Sequence, residues 1–119
     1  MIVAGFGCRS GAEAASFRAA LALQRPASIG AFATLSHKAA LLAPLADALG
    51  LPLILVEPAS IEGIATLTRS PASLAAYRTG SVAEAVALVA AGSGARLLSC
   101  RSVSPDGQAT CALAQGISA

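Results

Sequence analysis

The sequence predicts an α/β protein: one three-layer α/β/α domain over 1–119, a mainly parallel mixed sheet of about five strands, and a C-terminal β-hairpin. Three observations lead there. Short apolar runs bounded by turn residues alternate with segments of helical period. Ser-x-x-Glu pairs stand where two helical segments begin. A Pro-Asp-Gly turn separates the last two apolar runs. At 119 residues the chain supports one hydrophobic core.

"MIVAG" (1–5) is a short apolar run stopped by glycine and reads as a buried first strand. In 11–24, Ala14, Phe17 and Leu21 share one helical face. Ser10 and Glu13 form the box that would start this helix, and Pro26 bars its continuation. "SIGAFATLS" (28–36) reads as the second strand. Residues 37–49 carry Leu41, Leu45 and Leu49 at spacing four, with Gly50 as C-cap and Pro52 behind it. "LPLILVE" (51–57), continuously apolar, predicts a third buried strand. Residues 58–79 predict only short helical pieces, 59–65 and 71–78. Ser81 and Glu84 form a second box, Val82, Val86 and Val89 line one face, and Gly92 ends that helix. "ARLLSCRSV" (95–103) and "QATCALAQ" (108–115) flank "SPDG" (104–107) as a hairpin.

Composition narrows the function. Hydrophobic residues are 55%, but much of that is alanine, so the mean hydropathy of +0.72 overstates membrane affinity. No apolar run reaches the roughly 18 residues of a membrane span, and "MIVAGFG" lacks the basic start of a signal peptide. We expect a cytoplasmic protein with no membrane partner. Net charge is +2, with no run of Lys or Arg, and aromatics are 3%, which argues against nucleic acid. Cys8, Cys100 and Cys111 form no C-x-x-C pair and His37 is the only histidine, so no metal site or cofactor is expected. Cys100 and Cys111 read as small core residues in strands, and a reducing cytoplasm disfavours a disulfide between them.

In a sheet of this kind, ligands bind beyond the C-terminal strand ends. Segments 5–11, 34–38 and 57–63 should meet there, with 69–81 as a cover. In Gly5-Phe6-Gly7-Cys8-Arg9-Ser10-Gly11, glycines allow close approach to a ligand. The helix that follows favours an anion, and Arg9 offers a charged fork for carboxylate or phosphate. The alternative is a tight strand-to-helix turn. Ser10 stands where a dinucleotide-binding fingerprint has its third glycine, and no acidic residue ends the second strand. A P-loop is also absent, for want of Gly-Lys-Ser/Thr. Arg9 and a helix N-terminus would lower the Cys8 pKa, but no base stands beside it, so no catalytic residue is assigned. Ser36 is a good N-cap, whereas Lys38 after His37 opposes the helix dipole, a placement that an anion would explain. Ser70 belongs to the covering loop. Ser81 and Glu84, taken alone, are a cap.

These pieces, in this order, resemble the cobalamin-biosynthesis CobE family, whose domain also forms the C-terminal part of CbiG. The likeness covers essentially the whole chain, and its most specific parts are "GFGCR" (5–9) and "GSVAEA" (80–85). It places Gly5, Gly7, Cys8, Arg9, Lys38, Ser70, Gly80, Ser81 and Glu84 in the family pattern, and we add Ser36 and His37 as neighbours of Lys38. Arg101 stands where the family usually has lysine, keeping the charge but not the amine. The resemblance implies a role in corrin-ring assembly. Corrins carry acetate and propionate carboxylates, which suit Arg9, Lys38 and helix N-termini. The expected function is binding of a corrin or precorrin intermediate as carrier or accessory factor. The alternatives are a hydrolase or isomerase acting on a precorrin, and an interaction module for another cobalamin-pathway enzyme.

Overall fold

A computed structural model describes residues 1–25 and 28–117; the expected helix stop at Pro26 lies outside them. The elements run β1 (Ile2–Cys8), α1 (Ala14–Gln24), β2 (Ala31–Leu35), a 3-10 turn (Ser36–Lys38), α2 (Ala39–Leu49), β3 (Leu53–Val56), α3 (Pro58–Ile61), α4 (Pro71–Tyr77), α5 (Val82–Ala91), β4 (Arg96–Leu97), β5 (Ser102–Val103) and β6 (Ala109–Gln115). The sheet order is β3-β2-β1-β6-β4, with β5 also paired to β6. β1, β2 and β3 are parallel, and β6 inserts antiparallel beside β1, so the sheet is mixed as expected.

Alternation along β1 assigns its two faces. Ala4 and Phe6 point toward α1 and α2, where Phe17, Phe32, Leu42, Leu45 and Ala46 complete one core. Phe6 meets the Phe17 and Phe32 rings edge-on, at centroid distances of 5.6 and 4.8 Å. Such pairs add about 0.5–1.5 kcal/mol each beyond the area they bury. The opposite face carries α5, whose Ala85 and Val86 pack with Leu35, Val56 and Ile61. The glycines of β1 lie on that side. A Cβ on Gly5 would collide with Ala83 O and with the nitrogen and Cβ of Ala87, so α5 can sit this close only against glycine.

Several expectations need correcting. β1 extends through Cys8, so Gly5 and Gly7 of "GFGCRSG" lie within a strand, and only Gly11 stands in a turn. The turn comes later, closed by Ala12 N–H to Arg9 O at 3.1 Å. Consequently α1 begins at Ala14 and its N-cap is Glu13, not Ser10. The Glu13 N–H donates to Ser16 Oγ at 3.2 Å, and Ser16 in turn donates to Asp106 at 2.6 Å. Phe17 and Ala20 are buried on this helix, while Ala14 is exposed. Leu49 likewise turns outward, and Leu42 takes its place in the core of α2. β3 is an edge strand with Leu55 55% exposed, not a buried strand. The expected strand 95–103 is interrupted, which raises the count to six strands among the described residues. Its middle leaves the ladder: the Gln24 side chain takes the Cys100 carbonyl at 3.0 Å, and the Arg101 N–H turns to Glu84 at 2.9 Å. Cys100 is therefore exposed, whereas Cys111 is buried as expected, and both thiols are free.

Candidate functional site

A cleft of about 370 Å³ opens where the C-terminal end of β1 meets the N-terminal end of β6. Antiparallel pairing sets Cys8 opposite Ala109, which brings Gln108 and Thr110 beside Gly7, Cys8 and Arg9. The Arg9 N–H donates to Gln108 O at 2.9 Å and closes this corner. A second wall comes from Arg101, in the segment that leaves the ladder, and from Val103 in β5. The third is α4, which lends Ala72, Ser73, Ala76 and Tyr77, and Ser81 and Val82 at the start of α5 form the back.

The covering role expected for 69–81 is thus taken by α4. Ser70 caps it, accepting from the Ser73 N–H at 3.4 Å, and Pro71 supplies the fixed φ suited to a first helical position. Arg78 ends it in the left-handed region at φ 56°. The loop closes on itself through Ser70 N–H to Gly80 O at 2.7 Å. Gly80 has no room for a side chain, because a Cβ would meet Thr66 Oγ1 and the Thr68 carbonyl.

Of the eleven residues singled out from sequence, Gly7, Cys8, Arg9, Ser70 and Ser81 line the cleft. Gly5 and Gly80 are packing positions behind it. The segment 36–38 lies at the rim and not within. Ser36 donates to Glu57 at 3.0 Å, and His37 stacks on Tyr77, with its Nε2 3.2 Å from the phenol oxygen. Lys38 is half-buried and its charge is felt at Cys8. Burial pushes the Cys8 thiol up, and Lys38 pulls it down by less. The thiol therefore stays protonated near neutral pH and is not a poised nucleophile.

Glu84 is fully buried and does not reach the cleft. The Ser81 half of its box forms, with Glu84 N–H to Ser81 Oγ at 3.3 Å. The Glu84 carboxylate turns elsewhere. It accepts Leu67 N–H (2.6 Å), Thr68 N–H (3.1 Å), Thr68 Oγ1 (2.6 Å) and Arg101 N–H (2.9 Å).

Sequence reasoning did not assign Tyr77, Val82, Gln108 or Thr110 to the site. Tyr77 is the chain's only tyrosine and stood in the expected cover, which was the one available signal. The residues of β6 needed the strand order. Electrostatically the cleft is one-sided: Arg9 and Arg101 line it and no Asp or Glu does. Among the described residues the one ion pair is Arg78–Glu62 at 3.3 Å, so neither cleft arginine is neutralised by a carboxylate. Also among the described residues, no cluster of His, Cys, Asp or Glu could hold a metal, and no single helix is long and apolar enough to cross a membrane.

Fold and cleft together define a small α/β domain with a cationic, partly apolar site at the strand ends. Residues 2–114 match the family described as "Cobalamin synthesis G C-terminus". The chain belongs to this family, and so to cobalamin biosynthesis. It is similar to the crystal structure of CobE, a protein from the cobalamin (vitamin B12) biosynthetic pathway, at 32% identity and TM-score 0.83, over 98% of this chain and 91% of that one. It is also similar to the cobalamin biosynthesis protein chiG from Agrobacterium tumefaciens str. C58, at 34% identity and TM-score 0.74, over 99% and 100%. A third structure, from Sulfolobus solfataricus, shares the fold at 22% identity and TM-score 0.71; there 95% of this chain matches 36% of a longer one. No curated protein matches the chain.

Proposed function

We propose that the cleft takes the carboxylate-fringed edge of a corrin or precorrin intermediate, and that the protein acts as a carrier or accessory factor in the pathway. One observation carries this reading: Arg9 and Arg101, from two separate segments, enter a cleft with no acidic side chain in its lining. Arginine forks suit carboxylates geometrically and stay charged. The N-terminus of α5, presented through Ser81 and Val82, adds a partial positive charge. Ala72, Ala76, Tyr77 and Val103 supply an apolar side for the macrocycle itself. At about 370 Å³ the cleft fits an edge of such a ring better than the whole, leaving the rest accessible to a pathway enzyme. The protonated thiol of Cys8 and the full hydrogen-bond complement of Glu84 favour binding over hydrolysis or isomerisation.

The test is titration with hydrogenobyrinic acid, followed by the visible spectrum. A saturable change at micromolar ligand, weakened by salt, is expected, with the pigment recovered unaltered. Arg9→Ala and Arg101→Ala should each lose about tenfold to a hundredfold in affinity, as for hydrogen bonds to charged groups. Lys38→Ala, at the rim, should lose less. Absence of a saturable change refutes the reading, and a chemically altered pigment replaces it with the enzyme.

A further inference from the structure

We infer that Glu84 is the positioning residue of the cleft: one buried carboxylate holds two of its walls in register without touching the ligand. This rests on the binding reading above. Glu84 is fully buried in the first turn of α5. Its Oε1 accepts the Leu67 and Thr68 N–H groups, and its Oε2 accepts Thr68 Oγ1 and the Arg101 N–H. Thr68 stands two residues before Ser70, which lines the cleft and caps α4. Arg101 lines the cleft itself. These loops are separate in sequence, and the structure joins them on one acceptor. The same carboxylate also explains why the strand expected at 95–103 breaks, since the Arg101 N–H points to Glu84 instead of joining the ladder. Four donors match an ionised carboxylate, which only accepts.

Glu84→Gln separates positioning from packing because it nearly keeps the volume. The amide must present its NH₂ either to two backbone N–H groups at the Oε1 place or to one, that of Arg101, at the Oε2 place. The second is less costly, because the Thr68 hydroxyl can reverse and accept. The substitution therefore frees the Arg101 segment first. Titration of the full chain with hydrogenobyrinic acid should show about tenfold weaker binding for Glu84→Gln. In the Arg101→Ala background the same substitution should cost much less, whereas in the Arg9→Ala background it should cost the full factor. Losses that multiply equally in both backgrounds, or wild-type affinity in Glu84→Gln, overturn the inference. Should Glu84→Gln fail to fold, Thr68→Val removes one donor at the same carboxylate and should weaken binding severalfold; unchanged affinity there overturns it. A wild-type protein that binds no corrin sinks the functional reading instead. The clamp is then read from amide hydrogen exchange without ligand: Arg101 should exchange faster in Glu84→Gln, or in Thr68→Val if only that variant folds, and unchanged exchange overturns the clamp.

Discussion

Gly5→Ala tests whether the glycines of β1 serve the helix or the ligand. The added methyl would meet three atoms at once: Ala83 O, Ala87 N and Ala87 Cβ, the last two at 2.6 and 2.7 Å. Two of these are backbone atoms, which cannot rotate away. β1 is held on both sides, by β2 and by β6, so α5 has to move outward. Overpacking of this kind costs about 1–3 kcal/mol, and a rigid backbone on both sides puts Gly5 at the upper end. Alanine would recover roughly 0.5–1 kcal/mol through its smaller unfolded-state entropy. The net loss is about 2 kcal/mol, or roughly 6–12 °C in Tm for a domain of this size. Gly7→Ala is the internal control, because its Cβ would meet chiefly the Thr110 hydroxyl at 2.8 Å, a group that can rotate. Its Tm should stay within about 3 °C of wild type. The assay is thermal melting by circular dichroism for both variants. Equal melting temperatures for Gly5→Ala and wild type would show that α5 is not held against β1 as described.

Two further predictions concern titrating groups. Near neutral pH iodoacetamide should label exposed Cys100 first, Cys8 more slowly because burial raises its pKa, and Cys111 only on unfolding; Lys38→Ala should slow Cys8 further. Peptide mass spectrometry reads the order, and Cys8 reacting ahead of Cys100 would contradict the assignment. The hydroxyls of Ser104 and Ser16 and the Gln108 N–H donate to Asp106 and hold its carboxyl below the ordinary 3.8. A depressed folded-state pKa gives stability that is present above the unfolded value and lost as pH falls through the folded one. Melts in acid should therefore show a shallower loss for Asp106→Asn than for wild type, and identical slopes would refute this.

The fold was legible where local signals agreed. The apolar runs at β1, β2 and β3, the αL glycine at Gly50 and the Pro-Asp-Gly turn each marked an element correctly. What could not be read depended on partners distant in sequence. Ser10-x-x-Glu13 has the right letters, but Arg9 is already tied to Gln108, so the chain turns before its helix starts. β3 is as apolar as a buried strand, yet among the described residues no strand lies beyond it. The cleft was half legible: Gly7, Cys8 and Arg9 follow from the strand-end rule. That rule also pointed to 36–38 and 57–63. The insertion of β6 next to β1 instead moved the opening to the other side, toward Arg101 and Thr110.

That insertion has a consequence in time. Among the described strands β1 emerges before the others during synthesis and β6 after them, and their register runs from Ile2 with Gln115 to Cys8 with Ala109. One flank of the central strand stays bare until β6 has been made. Pairing across such a separation is slow to nucleate, and an open strand edge invites wrong partners meanwhile. The cleft shares this schedule, because Gln108 and Thr110 arrive with β6. A ligand bound there can reward only a domain whose β6 is already in place; it cannot assist the pairing of the strands made before it.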